Sequence, residues 1–414
     1  MDSTMRHSIE KIHVTNTSNK SSSFTINLDG KNLIITGNNG SGKTVFLNKM
    51  FSILKDVIIS TGNDYQIEFI KSEIERHSHT LANLSPGDGN YRFKKEKVLE
   101  LTEKLEKRKM FDITFRNISE LKKSYHEKKS IVRFFEATRQ AKISSDGKIT
   151  SLDSLSNEYS TYNLQNDSGV FFERYLVTTW NYALLQRGLN KIHEADRVEK
   201  WISEIKNDLQ QLFEDPSLTL EFDVESLRIY IEQDGKDRYR LDQLSSGFSS
   251  ILSVYADLLI RVELGNIERK DITGIVLIDE IDAHLHVTLQ KKVFSFFKEA
   301  FPNVQFIIST HSPFVVQSVS DAVIFNLTTL EEMEDLSLYS YTSIIRGLLG
   351  EKSTSHLLQE KIEALANLVK SGDFNDIDYL EIMSDLEPYI NDMDLRSKSI
   401  ILSAKNKFIE KQQG

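Results

Sequence analysis

The sequence predicts an α/β fold: a head built on a mixed sheet, with helical insertions and a helical C-terminal tail. Three short apolar segments support the sheet, and each is followed directly by residues that suit a binding site. They are residues 32–36, 274–278 and 304–309. Long stretches rich in Leu, Lys and Glu, with only five prolines in the whole chain, predict extensive helix around that sheet.

Length and composition exclude several classes of protein. The 414 residues are enough for a large core and for more than one structural unit. A net charge of −10 argues against a general nucleic-acid coat protein, and the absence of cysteine excludes disulfides, thiol catalysis and cysteine-based metal sites. The first twenty residues lack the apolar core of a signal peptide, and no apolar run approaches a membrane span. We therefore expect a cytoplasmic protein with no membrane partner.

The first apolar segment leads into a phosphate-binding loop. Residues 37–44 read GNNGSGKT and precede the helical pattern VFLNKMFSIL, which gives the order strand, GxxxxGK[ST], helix. Glycines let backbone N–H groups surround phosphate oxygens, and the helix N-terminus adds a favourable dipole. The predicted binding residues are Asn38, Asn39, Gly40, Ser41, Gly42, Lys43 and Thr44. We expect Lys43 to neutralise the β- and γ-phosphates and the Thr44 hydroxyl to ligate Mg²⁺.

The second apolar segment ends in two carboxylates, Asp279 and Glu280. At the carboxyl end of a parallel strand they lie where α/β proteins bind ligands. Asp279 is therefore expected to hold Mg²⁺, and Glu280 to polarise an attacking water as a general base. The alternative is a solvated acidic loop that follows a core strand.

The third apolar segment is followed by Thr310 and His311. A histidine directly after a buried strand is either a packed structural residue or a hydrogen-bonding partner of the γ-phosphate or the attacking water. The order of phosphate loop, carboxylate pair and histidine, each at the end of a strand, favours the catalytic interpretation.

A second serine–glycine turn, Leu244 to Gly247, opens another helix with apolar residues on its inner face. The N-terminus of that helix can bind an anion, and Ser245 adds a hydroxyl. Without a second lysine-bearing loop, it cannot hold a nucleotide by itself. We expect it to contact the γ-phosphate bound by another copy of the chain, so that a twofold dimer shares both sites.

These motifs resemble those of ABC-type P-loop ATPases, in the soluble branch that includes SMC, RecF-like and OLD-like proteins. Walker A matches residues 37–44, the signature motif matches 244–247 and Walker B matches 275–280, in the order typical of the family. Asp282 follows as the D-loop aspartate, and His311 matches the switch histidine.

The resemblance implies an ATPase that binds ATP and Mg²⁺ and hydrolyses ATP to ADP and phosphate. In this family ATP lies between Walker A of one copy and the signature of the other. Ser245 and Gly247 would then contact the nucleotide across the dimer, and Asp282 would lie at the dimer seam.

Two positions depart from the family pattern, and a third is left open. Ser246 and Phe248 replace the glycine and glutamine of the common LSGGQ signature. Gln140, after a strand predicted at 131–136, is the candidate Q-loop residue and metal ligand. Arg139 is an alternative sensor, and a surface position is the remaining interpretation of either residue.

The motifs divide the chain into six predicted segments. They are 1–60, the N-terminal part of the head with Walker A; 61–110, a helical insertion; 111–143, a return to the head with the candidate Q-loop; 144–217, a helical lid; 218–345, the C-terminal part of the head; and 346–414, a helical acidic tail. Residues 91–130 carry 13 Lys/Arg against 7 Asp/Glu, which is typical either of an arm that binds nucleic acid or of a solvated helical hairpin.

The overall arrangement is most similar to ATPase subunits of bacterial anti-phage systems of the Septu and retron-associated kinds. In such systems the ATPase senses infection or restrains a separately encoded effector, often a nuclease. The resemblance thus implies a homodimer, or a higher oligomer, that regulates an effector in a partner chain. Two alternatives remain: a RecF- or SMC-like ATPase that binds DNA in repair or maintenance, and the nucleotide-binding subunit of an ABC transporter.

Overall fold

The computed structural model describes residues 8–15, 23–60, 67–139, 141–143, 147–162, 164, 166–334, 344, 356–370, 375–393 and 395–413. The chain forms two compact units, Met1–Ile344 and Ile345–Gly414. The strands are β1 (Ile9–Val14), β2 (Phe24–Asn27), β3 (Asn32–Thr36), β4 (Phe111–Phe115), β5 (Ser130–Phe135), β6 (Thr219–Asp223), β7 (Arg228–Glu232), β8 (Tyr239–Arg240), β9 (Thr273–Ile278), β10 (Val304–Ser309), β11 (Ala322–Asn326) and β12 (Glu331–Glu334).

Helices surround these strands. In the first unit they are α1 (Lys43–Ile59), α2 (Ile67–Ala82), α3 (Gly89–Met110), α4 (Ile118–His126), α5 (Leu152–Ser160), α6 (Phe172–Gly188), α7 (Ile192–Phe213), α8 (Ser246–Leu264), α9 (Val287–Gln290), α10 (Val293–Ala300) and α11 (Pro313–Gln317). In the second unit they are α12 (His356–Lys370), α13 (Asp376–Leu386) and α14 (Leu395–Gln413). Short 3₁₀ segments occur at Ser168–Phe171, Leu241–Gln243 and Glu387–Asp392.

A six-stranded mixed sheet forms the centre of the first unit. Its strand order is β12-β11-β3-β10-β9-β5. Five neighbouring strands, β11 to β5, are parallel, and β12 pairs antiparallel with β11 at one edge. The predicted α/β class with a mixed sheet, helical insertions and a helical C-terminal region is confirmed.

The predicted core strands form the middle of this sheet because their sequences suit burial on both faces. Every residue of β3 and β10 is buried, as are residues 274–278 of β9. β10 lies between β3 and β9, in register at Ile307 with Leu33 and Leu277. The carboxyl ends of β3, β9 and β10 therefore lie side by side, and so do the polar residues that follow them.

One face of the sheet shares its apolar core with α1 and with the antiparallel sheet β2-β1-β4. Phe46 and Leu47 of α1 belong to this core, together with Leu33 of β3 and Ile113 of β4. The signature helix α8 is buried around most of its circumference.

The insertions lie between the two halves of the head. Helices α2 and α3 pack as a hairpin. Four of the eight Lys and Arg side chains of α3 pair with glutamates three or four residues away on the same helix, and such pairs stabilise an exposed helix. Helices α6 and α7 form a second hairpin, and β6, β7 and β8 form the antiparallel sheet before the signature.

The second unit contains α12 to α14. Its core includes Leu365, Tyr379, Met383 and Ile401, and the ring of Tyr379 stacks on Phe408 with centroids 4.5 Å apart. Across the described residues of both units, no helix is both long and apolar enough to cross a membrane.

Candidate functional site

The loop between β3 and α1, Gly37–Thr44, curls back on itself and is called the phosphate loop below. Gly37, Gly40 and Gly42 have φ of +137°, +77° and +93°, in the left-handed region that favours glycine. A Cβ on Gly37 would lie 3.0 Å or less from two hydroxyl oxygens, whereas Gly40 and Gly42 have open space beside them. Asn38, Asn39 and Gly40 form the exposed rim of the loop, and Ser41 and Gly42 are half-buried.

Lys43 fills the centre of the phosphate loop. Its Nζ donates to the carbonyl oxygens of Gly37 at 2.9 Å and Asn38 at 3.1 Å, and the residue is 6% exposed. Burial lowers the pKa of Lys43, and nearby carboxylates, chiefly Glu280 and Asp279, oppose that shift. The ammonium group therefore lies within electrostatic range of the carboxylates that follow β9. Thr44, next in the chain, is exposed.

The loop after β11 is hydrogen-bonded to the phosphate loop. Thr328 Oγ1 accepts a hydrogen bond from the Asn38 backbone N at 2.9 Å, and Asn326 Oδ1 accepts one from the Thr328 N at 2.8 Å. Sequence reasoning did not identify these residues, because only the pairing of β11 with β3 brings them to the phosphate loop.

Asp279 is buried at the end of β9, and Ser309 at the end of β10 orients it. The Ser309 hydroxyl donates to Asp279 Oδ1 and accepts from the Glu280 backbone N at 2.7 Å. Asp279 Oδ2 is buried and has no hydrogen-bond partner among the described residues. Ser309 was also not identified from the sequence, although its place at a strand end before Thr310 and His311 was a usable signal.

Glu280 begins a tight turn. Its φ of +46° is in the left-handed region, which is strained for a non-glycine residue. The guanidinium of Arg139 donates to the carbonyl oxygens of Asp279 at 2.7 Å and Glu280 at 3.2 Å. Burial lowers the pKa of Arg139 to about 10, while the carboxylate of Asp279 opposes the shift, so the group stays charged at neutral pH. Arg139 thus stabilises the backbone of the turn at Asp279 and Glu280.

Asp282 and His311 lie beside these groups. The Thr310 hydroxyl donates to Asp282 Oδ1, so part of this half-buried carboxylate is bound within its own chain. Burial and the ammonium of Lys43 lower the pKa of His311, whereas Asp282 and the other carboxylates oppose the shift. The shift favours the neutral imidazole, which can both donate and accept a hydrogen bond.

The signature turn, Leu244–Gly247, begins α8. Ser245 is exposed and makes no side-chain cap to the helix. Gly247 is buried, and a Cβ at this position would lie 2.6 Å from the carbonyl oxygen of His284. The ring of Phe248 stacks on Phe213 with centroids 4.1 Å apart and an interplanar angle of 6°. The turn therefore packs against the segment that follows Glu280 and leaves Ser245 open to solvent.

The fold brings most of the predicted residues to one edge of the central sheet. Lys43, Asp279, Glu280 and His311 share an electrostatic neighbourhood, with Asp282 among them. Gln140 lies outside the described residues. Its neighbour Ala141 donates its backbone N to Ser249 Oγ of α8 at 3.1 Å, which connects this segment to the signature helix.

The donor set fits a hard divalent cation with a phosphate ligand. Asp279 Oδ2 and Ser41 Oγ are both buried oxygens without a hydrogen-bond partner among the described residues. Carboxylate and hydroxyl oxygens are the ligands that Mg²⁺ prefers, in company with substrate phosphates.

Residues 33–317, more than half of the chain, match the protein family described as "AAA domain, putative AbiEii toxin, Type IV TA system". This match confirms the predicted resemblance to a P-loop ATPase.

Segments of the chain are also similar to individual proteins. They include a Septu protein PtuA of Bacillus mycoides, 39% identical over 23% of this chain and 13% of that protein. A retron Ec83 probable ATPase of Escherichia coli is 43% identical over 20% of this chain and 16% of that protein. A Septu protein PtuA of Bacillus thuringiensis is 38% identical over 24% of this chain and 25% of that protein. The matched segments thus span a quarter or less of these relatives.

Solved structures show a weaker likeness. An SMC head bound to the C-terminal winged-helix domain of ScpA aligns with a TM-score of 0.34 and 14% identity, over 77% of this chain and 94% of that chain. A nucleotide-free ATP-binding cassette from an ABC transporter aligns with a TM-score of 0.34 and 12% identity, over 83% and 95% of the two chains.

Proposed function

The chain belongs to the family of AAA domains described above, and on that premise we propose that it binds ATP at the phosphate loop and hydrolyses it to ADP and phosphate. The observation that carries the proposal is the convergence of Lys43, Asp279, Glu280 and His311 at the carboxyl ends of three neighbouring strands. A cation, two carboxylates and a neutral imidazole are the groups that a phosphoanhydride and an attacking water need.

Each group has a separate role in the proposed reaction. Mg²⁺ would be held by Asp279 and Thr44, and when bound it neutralises charge on the phosphate oxygens. Lys43 exchanges its bonds to the loop carbonyls for bonds to the β- and γ-phosphates. Glu280 accepts a proton from the attacking water, and His311 hydrogen-bonds the γ-phosphate.

We further propose that two copies of the chain close around ATP. Ser245 supports this arrangement, because it is exposed at the start of α8 and its side chain does not cap the helix. The γ-phosphate of ATP bound by a second copy can therefore contact this helix end. Asp282 would lie at the seam, with its carboxylate oriented by Thr310.

Replacing Glu280 with Gln tests both hydrolysis and pairing. We expect the variant to bind ATP but to hydrolyse it at least about a hundredfold more slowly, because the proton acceptor is lost. Stable ATP-dependent dimers should then accumulate in size-exclusion chromatography with light scattering. The exposed Glu225→Gln serves as a control and should behave as the parent. A Glu280→Gln protein that stays monomeric with excess ATP would rule out pairing through ATP.

We also propose that the chain regulates a separately encoded effector, such as a nuclease, in defence against phage. The similarity to a Septu protein and to retron ATPases supports this role. A host carrying this gene with its neighbours should plate phage poorly, and Lys43→Ala should restore plating. Equal protection by the Lys43→Ala protein would show that ATP binding is not needed for the function. Copurification of a neighbouring gene product would identify the effector.

A further inference from the structure

A cavity of about 470 Å³ lies in the first unit away from the phosphate loop. Its walls include the last turn of α1, at Ile58 and Ile59, and the first residues of β5, Ser130 and Ile131. The phosphate loop instead follows the carboxyl end of β3, which is parallel to β5 in the sheet. Since Lys43 and Ile58 are fifteen residues apart on α1, about 22 Å of helix separates the two places.

Cations line this cavity, and we call it the cationic cavity. Lys55, Lys128 and Arg261 contribute to its wall, and no Asp or Glu of the described chain does. The ammonium of Lys128 is bonded to the backbone carbonyls of Tyr159 at 3.2 Å and Ser160 at 3.1 Å, which leaves its charge without a counter-ion at that contact. Lys55 forms no ion pair with a described carboxylate. The cavity therefore carries a positive potential.

The one buried carboxylate behind the wall does not neutralise this charge. Asp257 accepts hydrogen bonds from Arg261 Nε and from Arg133 Nε, both at 2.9 Å. Two guanidinium groups thus share this carboxylate, and the half-buried Asp167 lies within electrostatic range of Arg133. Neither carboxylate balances Lys55 and Lys128, so an anion in the cationic cavity would act as their counter-ion.

Aromatic rings complete the wall. Tyr125, Tyr159 and Tyr162 line the same space, with the ammonium of Lys128 4.4 Å from the centroid of the Tyr159 ring. Tyr125 and Tyr162 are half-buried, so part of each ring is accessible. Flat rings beside cations suit a ligand that has both an aromatic group and a negative charge.

We propose that the cationic cavity binds a nucleoside monophosphate or a ligand of the same chemistry, with its phosphate at Lys55 and Lys128 and its base against the tyrosines. The volume lies within the range of small-molecule sites. The proposal is independent of ATP hydrolysis. Helices α1 and α8 nevertheless extend from the cationic cavity to the residues proposed to bind ATP, since α1 begins at Lys43 and α8 begins beside Ser245. A bound ligand would therefore contact the far ends of the helices that carry the phosphate loop and the signature turn.

Calorimetric titration of the full chain carrying Lys43→Ala tests this site, since that change removes the phosphate-loop lysine. We expect saturable binding of at least one of the four ribonucleoside 5′-monophosphates. Inorganic phosphate alone and the uncharged nucleoside should each bind at least about tenfold more weakly, because each lacks half of the contacts. Equally tight binding of inorganic phosphate would overturn the assignment of a nucleotide-like ligand.

A pair of lysine variants on α1 locates the binding. Lys55→Ala in the Lys43→Ala background should weaken binding about tenfold, because one charge-assisted hydrogen bond is lost. Lys49→Ala is the matched control, since Lys49 is on the same helix but lines a different cavity. Tyr162→Ala provides a second, uncharged test and should lower affinity for the monophosphate but not for phosphate. The proposal fails if no monophosphate binds at millimolar concentration, or if the Lys55 and Tyr162 variants both bind as the parent does.

Discussion

At the scale of single residues, Ser309 connects the Asp279 carboxylate with the backbone of Glu280. Its hydroxyl donates to Asp279 and accepts from the backbone of Glu280, which has a left-handed φ of +46°. One side chain thus orients the predicted metal ligand and stabilises the turn that aims the predicted base. Ser309 contacts neither a phosphate nor water in the proposed reaction, so we regard it as a positioning residue.

Ser309→Ala should slow ATP hydrolysis about ten- to a hundredfold, because loss of a buried hydrogen bond costs about 1–3 kcal/mol. The affinity for ATP should change much less, since the phosphate loop is intact. Steady-state kinetics would separate the two effects, and Ser309→Thr, which retains the hydroxyl, should recover most of the rate. An equal loss of ATP affinity and rate would contradict a positioning role.

Gly247 offers a second test at this scale, because a Cβ there would lie 2.6 Å from the His284 carbonyl oxygen. Gly247→Ala should lower the free energy of unfolding by about 1–3 kcal/mol, the usual cost of overpacking. Gly87 has no atom within 4 Å of a built Cβ, so Gly87→Ala is the control and should leave stability nearly unchanged. Chemical denaturation would measure both. Unchanged stability in the Gly247 variant would mean that the His284 segment can move away freely.

At the scale of elements, a buried cluster ties the signature helix to the sheet. Asp257 of α8 binds Arg133 of β5 and Arg261 of α8, and it also accepts a hydrogen bond from the Ser168 backbone N at 2.6 Å. The cluster therefore joins α8, β5 and the 3₁₀ segment that precedes α6. These contacts fix the position of the signature helix relative to the central sheet.

Asp257→Asn should lower the free energy of unfolding at pH 7 by about 3–5 kcal/mol, because it leaves two buried guanidinium groups without a carboxylate. The exposed Asp271→Asn is the control and should have little effect. Urea denaturation would measure both differences. A loss no larger than that of the control would show that the cluster does not stabilise the fold.

The same cluster predicts a pH dependence. Burial would raise the pKa of Asp257, but the guanidinium groups of Arg133 and Arg261 outweigh burial and hold it below its ordinary value. A depressed carboxyl pKa stabilises the folded state above the unfolded pKa of about 3.9, and that stabilisation is lost as the pH falls through the folded value. The stability difference between the parent and Asp257→Asn should therefore be constant from pH 5 to 7. It should shrink below about pH 4, and a constant difference down to pH 2 would contradict this origin.

At the scale of the whole molecule, the proposed dimer makes the phosphate loop and the signature turn of each chain the halves of two different ATP sites. Ser245 faces solvent, whereas the groups around Lys43 face one another at the sheet edge. An exposed, uncapped helix end offers N–H groups and a favourable dipole to an anion. In the proposed symmetric dimer, each of the two signature turns would contact the γ-phosphate of ATP bound by the other copy.

Mixing two defective proteins tests shared sites. Lys43→Ala removes the phosphate-binding lysine, and Ser245→Arg blocks the signature turn, so a mixed dimer should retain at most one intact composite site. We expect each variant alone to be nearly inactive and the mixture to recover part of the ATPase rate. Full parental turnover by either variant alone, or by the mixture per subunit, would contradict sites shared between copies.

Much of this site was predictable because its residues lie next to their strands in the chain. Strand ends meet at one edge whenever parallel strands are neighbours, so Asp279, Glu280 and His311 could be placed near Lys43 from motif order alone. The position of Ser309 at a strand end was a usable signal, but Asn326 and Thr328 could not be assigned in this way. Their roles depend on the order of the strands in the sheet. A shift of one residue in register would turn their side chains to the other face of the sheet.

The sequence by itself determined the α/β class, the phosphate loop and the carboxylate pair, because local patterns specify strands, glycine turns and helix starts. Only the tertiary structure decided that Gly247 packs on His284, that Arg139 holds the turn at Glu280, and that the cationic cavity exists. These contacts join residues far apart in the chain, and their geometry follows from how whole elements pack. The sequence around each of these residues does not specify such long-range contacts.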